Sequence, residues 1–228
     1  MAFKETSRFR TVLKAALAGL GLLLSVSASA EIFHGVDFPG GEASFADNVV
    51  SYDPAFGGGA VPSPGFQNPS QALGAPNFPE GMDPEYVSLG AGGRIVLRFT
   101  NNALTGSGNS NLDLWIFEIG PDVEDTFVDI SKDGLTWFSV GSVTGSTRGV
   151  DIDAFGFDTL DFFSFVRLTD NIALDATSGP TVGADIDSVG AISSAPPVST
   201  VPEPATLLLI ATGFALVAFR RRKTRNLV

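Results

Sequence analysis

The run Arg94-Ile95-Val96-Leu97-Arg98-Phe99 alternates, with Ile95, Leu97 and Phe99 on one face of an extended chain and Arg94 and Arg98 on the other. That period of two recurs along the chain, and no stretch between residues 31 and 195 carries a 3.6-residue apolar period. Val49-Val50-Ser51-Tyr52 reads as a short first strand, followed by a long Gly/Pro loop from Asp53 to Pro69. Tyr86-Val87-Ser88-Leu89 precedes the turn Gly90-Ala91-Gly92-Gly93. Leu112 to Glu118 is apolar on both faces, as an interior strand covered on both sides would be. Val150 to Asp153, Phe163 to Leu168 and Ala184 to Gly190 complete the set. Eight or nine strands without a helix predict an all-β fold of two antiparallel sheets packed face to face.

Thr126-Phe127-Val128-Asp129-Ile130 and Leu135-Thr136-Trp137-Phe138 flank Ser131-Lys132-Asp133-Gly134, and Asp-Gly between strand-like runs predicts a hairpin. A two- or four-residue connection puts Val128 and Ile130 on the face of Leu135 and Trp137. Glu31 to Ser44, Gly-rich with Phe33 and Phe38, reads as a loosely packed lead-in.

The two ends are of another kind. Lys4, Arg8, Arg10 and Lys14 precede an apolar stretch from Ala15 to Val26 that ends in Ser27-Ala28-Ser29-Ala30. This is the pattern of a secretory signal peptide with an A-x-A-like site at Ala28 and Ala30, cut after Ala30; an uncleaved anchor is the competing reading. At the other end Val201-Pro202-Glu203-Pro204 leads into an uncharged apolar run from Ala205 to Phe219 and then Arg220-Arg221-Arg222-Lys223. Fifteen helical residues span roughly 22 Å, short of the roughly 30 Å hydrocarbon core, a mismatch that bilayer thinning and snorkelling absorb. The cationic stop stays cytoplasmic and leaves the rest of the chain outside.

The Pro-Glu-Pro motif, apolar helix and Arg-rich tail resemble the PEP-CTERM sorting signal of Gram-negative bacteria that make exopolysaccharide. The resemblance implies an exosortase in the inner membrane as partner, with Pro202, Glu203 and Pro204 as the motif it recognises. The product would reach the cell surface or the extracellular matrix. A proline-rich linker to a permanent anchor is the alternative. The expected organisation is a signal peptide (1–30), a β-sandwich passenger (31–193), a Pro/Ser linker (194–200) and the sorting signal (201–228), whose transmembrane helix is 205–219.

Charge sharpens the picture once the ends are set aside. Between Glu31 and Thr200 only Arg94, Arg98, Lys132, Arg148 and Arg167 are basic, against twenty-three acidic residues, a net charge of −18. Such a domain repels nucleic acid and attracts divalent cations. With no cysteine and a single His34, disulfides and a Cys/His zinc site are excluded.

A second resemblance rests on Tyr86-Val87-Ser88-Leu89-Gly90 with Gly92-Gly93, on Asp113 to Glu118, and on Ile130-Ser131-Lys132-Asp133-Gly134-Leu135-Thr136-Trp137. These are similar to the discoidin-type, galactose-binding-like jelly rolls, which implies a jelly-roll β-sandwich, carbohydrate or surface recognition, and structural calcium. Asp113 and Glu118 match carboxylates of that family, although their spacing places them on opposite faces of a regular strand. Asp185 and Asp187, two apart on one strand, share a face and suit calcium, and Asp151 and Asp153 repeat the pattern. A merely solvated acidic face is the other reading of these pairs. An EF-hand beginning at Asp151 fails because Phe155 and Phe162 fall where oxygen ligands belong.

No G-x-S-x-G, H-E-x-x-H or P-loop occurs, so no catalytic residue is assigned and the chain is not expected to be an enzyme. Trp115, Trp137 and the phenylalanines fit either a core or a sugar-stacking platform. Three functions remain open. They are a noncatalytic polysaccharide-binding or adhesion module, a carbohydrate-active enzyme working with two carboxylates, and a structural matrix component.

Overall fold

A computed structural model of the chain describes residues 30–79, 84–119, 124–174 and 177–196. The expected signal peptide, apart from Ala30, lies outside the described residues, as do the Pro-Glu-Pro motif, the apolar run 205–219 and the basic stop. Among the described residues no helix is long and apolar enough to cross a membrane.

Thirteen strands are described, in chain order β1 (Glu31–Phe33), β2 (Val36–Phe38), β3 (Asn48–Asp53), β4 (Val87–Ser88), β5 (Arg94–Arg98), β6 (Ala103–Leu104) and β7 (Leu114–Glu118). There follow β8 (Asp125–Ser131), β9 (Phe138–Thr144), β10 (Arg148–Val150), β11 (Phe165–Asp170), β12 (Asp185–Ala191) and β13 (Ser194–Ala195). The helical turns among the described residues are short 3-10 segments, as the missing 3.6-residue period requires.

A five-stranded sheet in the order β3-β5-β11-β8-β9 faces a four-stranded sheet in the order β10-β7-β12-β4, and every pairing is antiparallel. With β3 set aside as an added edge strand, the chain passes between sheets as a long hairpin wound into two layers does, the order of a jelly roll. One core fills the space between the sheets. Ile95, Leu97, Val128, Ile130, Val166 and Leu168 from the larger sheet meet Val87, Leu114, Ile116, Ile186 and Val189 from the smaller.

Ile95, Leu97 and Phe99 are buried on the core side, as the alternation predicts. The interior strand is also there. Leu114 and Ile116 of β7 enter the main core, while Phe117 turns to the opposite face and packs with Phe38 and Phe45.

That second cluster corrects the reading of residues 31–44 as loosely packed. His34 and Gly35, both at positive φ (47° and 82°), make the two-residue turn that joins β1 to β2. The hairpin lays Phe33 and Phe38 against Phe45, with ring centroids 5.0 and 4.7 Å from it, over the outer face of the smaller sheet. Gly190 admits this contact, because a Cβ there would lie 2.6 Å from the Phe38 ring and 2.7 Å from the Phe45 ring. Aromatic residues spaced irregularly through a Gly-rich stretch carry no period, which is why the pattern missed them.

The hairpin after β8 exists, with a different connection. Ile130 pairs with Phe138, so the second strand begins at Phe138 rather than Leu135. Ser131 and Asp133 hold the intervening backbone. Asp133 Oδ1 accepts the amides of Leu135 and Thr136 at 2.8 Å each, and Ser131 Oγ accepts that of Gly134 at 2.9 Å. These local bonds outcompete the ladder. Leu135 is left 85% exposed, and Trp137 joins the outer face of the larger sheet instead of the core. Two smaller differences follow the same logic. Asp151 and Asp153 leave the strand after Val150 and enter a 3-10 turn at Asp153–Phe155. At the C-terminal end Ser194 and Ala195, expected in the linker, pair with Leu104 and Ala103.

Candidate functional site

Two surfaces hold the chemistry-bearing side chains. The first is a carboxylate group where the start of β7 runs beside the end of β10. The last paired residues there are Leu114 and Val150, and the Asp113 amide donates to the Val150 carbonyl at 2.8 Å. Continuing that register by one residue sets Asp151 beside Asp113.

Asp151 Oδ1 accepts the Asp153 amide at 3.0 Å, which turns the chain and brings the Asp153 carboxylate in as well. Oxygens of Asp113, Asp151 and Asp153 all lie within 4.8 Å of one another. Asp153 is held from the opposite side, its Oδ2 accepting the Ser107 amide at 2.8 Å and its Oδ1 the Gly108 amide at 3.0 Å. The approach is close, since a Cβ on Gly106 would come within 2.9 Å of Asp153 Oδ2.

Asp113 is the deepest member, with no exposed surface. Its Oδ2 accepts the Ile152 amide at 2.9 Å, while its Oδ1 is buried and accepts no hydrogen bond of good geometry. Burial pushes the Asp113 carboxyl up from its ordinary range, with the Asp153 charge adding to the rise; the Ser193 and Ser107 hydroxyls and the Ile152 amide oppose it. The two hydroxyls thus lie near enough to ease the charge without closing a bond to Oδ1.

Of the carboxylates that the sequence singles out, Asp113 and the Asp151–Asp153 pair meet in this group, whereas Asp185, Asp187 and Glu118 do not join it. Asp185 and Asp187 do share β12, yet each is turned to a separate task. Asp185 Oδ1 accepts the Ser88 hydroxyl of the neighbouring β4. Asp187 accepts the amides of Asn77 and Phe78 at 3.3 and 3.4 Å, tying the preceding loop to the sheet. Burial, the dominant cause, raises the Asp187 carboxyl to about 6; the two amides and His34 oppose it, and Glu85 adds to it. Glu118 is buried at the end of β7 opposite Ile186. The Asp151–Asp153 spacing was legible, but its meeting with Asp113 depends on a strand pairing that no local pattern encodes.

The second surface is the outer face of the five-stranded sheet. Alternation sends Arg94 and Arg98 of β5 to this face, and Arg167 of β11 joins them, pairing with Val96 between the two. Each guanidinium lies over a ring: Arg94 is 3.5 Å from the Phe56 centroid, Arg167 4.3 Å from Trp137 and Arg98 5.3 Å from Phe165. Phe56 comes from the long loop after β3 and Trp137 from the turn before β9. Arg167 also pairs with Asp129 at 3.0 Å, and Arg94 Nε donates to Thr169 Oγ1 at 2.9 Å. Burial first and the Arg167 charge second press the Arg94 ionisation downward, with Asp129 and Asp53 opposing. Phe56 and Phe127 remain 50% and 45% exposed. Three of the five basic residues of a −18 domain thus share one face.

Comparison with known proteins bears on the tail. Residues 200–223 match the family model of the PEP-CTERM protein-sorting motif. No curated protein matches the sequence. Among solved structures, the C-terminal domain of a chitobiase from Bacteroides fragilis is similar at 12% identity and a TM-score of 0.33, covering 66% of this chain and 93% of that one. The tail therefore carries a PEP-CTERM sorting motif at residues 200–223, and with it the assignment of an exported protein sorted by an exosortase at the membrane.

Proposed function

We propose that the folded domain is a noncatalytic polysaccharide-binding module that the sorting signal delivers to the cell surface or the surrounding matrix. The observation that supports this reading is the row of arginines stacked on rings across the outer face of the five-stranded sheet. A pyranose presents an apolar C–H face and a rim of hydroxyls. Aromatic rings meet the first, and planar guanidinium groups offer in-plane N–H donors to the second. The Asp129 ion pair and the Trp137 stack hold Arg167 in place before any ligand arrives, which lowers the ordering cost of binding. An acidic domain with a local basic strip also discriminates against a uniformly anionic surface, while admitting a sugar chain laid along the strip.

The test is saturable binding of the purified full chain, in mild detergent, to a panel of polysaccharides that includes the producing cell's own. Binding to at least one, weakened about tenfold or more by Trp137→Ala, supports the assignment. Absence of saturable binding across the panel favours a structural matrix component. Release of soluble sugar from the polymer would replace the module with a carbohydrate-active enzyme.

A further inference from the structure

The unpaired Oδ1 of Asp113 calls for an account. A fully buried carboxylate oxygen without a well-aligned donor is costly in a folded protein and marks a missing partner, which the nearby Ser193 and Ser107 hydroxyls supply only in part. Here two further carboxylates, Asp151 and Asp153, bring oxygens within 4.8 Å. Asp113 is fully buried while Asp151 and Asp153 are partly exposed, and three carboxylates this close repel one another, a repulsion that a cation among them relieves. No arginine or lysine of the described residues has an ion pair with any of the three.

We propose that Asp113, Asp151 and Asp153 form a calcium site that pins the point where the folded domain hands the chain to the sorting tail. The donors are all oxygen, with the Ser107 and Ser193 hydroxyls beside Asp113, and hard oxygen ligands select calcium or magnesium over zinc. Calcium, with ligands at about 2.3–2.6 Å, bridges oxygens as much as about 5 Å apart. Magnesium demands near-ideal octahedral geometry at about 2.0–2.1 Å and sheds its waters reluctantly, which suits an all-protein set of carboxylates and hydroxyls less well.

The position links the site to the end of the domain. The Asp113 carbonyl accepts the Ile192 amide at 2.7 Å, the Ser193 carbonyl accepts the Thr105 amide at 3.0 Å, and β13 follows at once. An ion on Asp113 therefore braces the last strand before the tail. This inference is independent of the polysaccharide reading, since it concerns different residues and stands whether or not a sugar binds.

Isothermal titration of the full chain with calcium, after chelation, tests it. One ion per chain is expected, with a Kd in the range of about 10⁻⁴–10⁻³ M typical of extracellular modules. Asp113→Asn and Asp151→Asn each weaken binding about tenfold or more, and Asp37→Asn, an exposed acidic residue of β2, leaves it unchanged. Should Asp113→Asn fail to fold, the half-exposed Asp151 carries the test. Calcium also slows hydrogen exchange at the Ile152 and Ile192 amides, a readout that ions bound elsewhere on an acidic surface would not move. No binding up to about 10 mM calcium, equal binding by the Asp151→Asn protein, or magnesium binding as tightly as calcium would each overturn the proposal.

Discussion

The guanidinium of Arg167 lies 4.3 Å from the centroid of the Trp137 ring. The same group closes an ion pair with Asp129 at 3.0 Å, so one side chain joins the turn before β9 to the middle of the larger sheet. A double-mutant cycle with Arg167→Ala and Trp137→Ala should give a coupling of about 0.5–2 kcal/mol in urea unfolding. Arg167→Lys keeps the charge but loses the planar stack and the fork to Asp129, and should recover less than half of the loss. Coupling indistinguishable from zero would mean that ring and guanidinium are neighbours without interacting.

Asp187 makes stability depend on pH in an unusual direction. Its carboxyl, raised to about 6 by burial, keeps its proton in the folded chain over a range where the unfolded chain, near 3.9, has released it. Between those values the folded state binds more protons, so stability falls as pH rises. This contribution is fully present below about pH 4 and lost above about pH 6, a difference of about 3 kcal/mol. Asp187→Asn, neutral throughout and still able to accept from the loop, should remove this slope from urea unfolding midpoints measured between pH 4 and 7.5. Parallel profiles for the two proteins would refute it.

Asp170 joins the two sheets at one end of the sandwich. From β11 its buried carboxylate accepts the Gly92 amide at 2.7 Å and the Ala184 amide, just before β12, at 2.8 Å. Asp170→Ala leaves two buried donors unpaired and should cost about 3–5 kcal/mol, lowering Tm by roughly 6–15 °C in a domain of this size. Asp170→Asn can satisfy one donor only and should fall between. A Tm within 2 °C of the wild type for the alanine variant, by calorimetry, would show that water replaces the carboxylate.

The sorting motif at residues 200–223 predicts that the protein recovered from the cell surface lacks the apolar run 205–219. Intact-mass measurement reads this directly, and cells without exosortase should retain a chain ending at Val228. A surface-recovered protein that still ends at Val228 would mark the tail as a lasting anchor instead.

Much of the sandwich was legible because its strands are half-buried. Alternation marks such strands without knowledge of their partners, as in Arg94 to Phe99 and Val128 to Ile130. Partnership was not legible. Nothing local says that β11 lies between β5 and β8, or that Asp151 comes beside Asp113, since both follow from contacts between distant segments. The sequence grouped Asp185 with Asp187 through strand geometry, correctly as to strand, but their separate partners Ser88, Asn77 and Phe78 come from other parts of the chain. Trp137 was misplaced because Asp133 and Ser131 capture the turn, a competition between local bonds that apolar spacing does not register.

Strand β12 has a position with consequences for the order of events during export. It sits between β7 and β4, so β4 has no partner in its sheet, and β7 has only β10, until the last of the sandwich has crossed the membrane. Fewer than ten residues separate its final residue, Ala191, from the start of the sorting motif at residue 200. The smaller sheet is therefore completed only by the segment that leads directly into the sorting motif, so a chain cut short before β12 would lose the sheet together with its address.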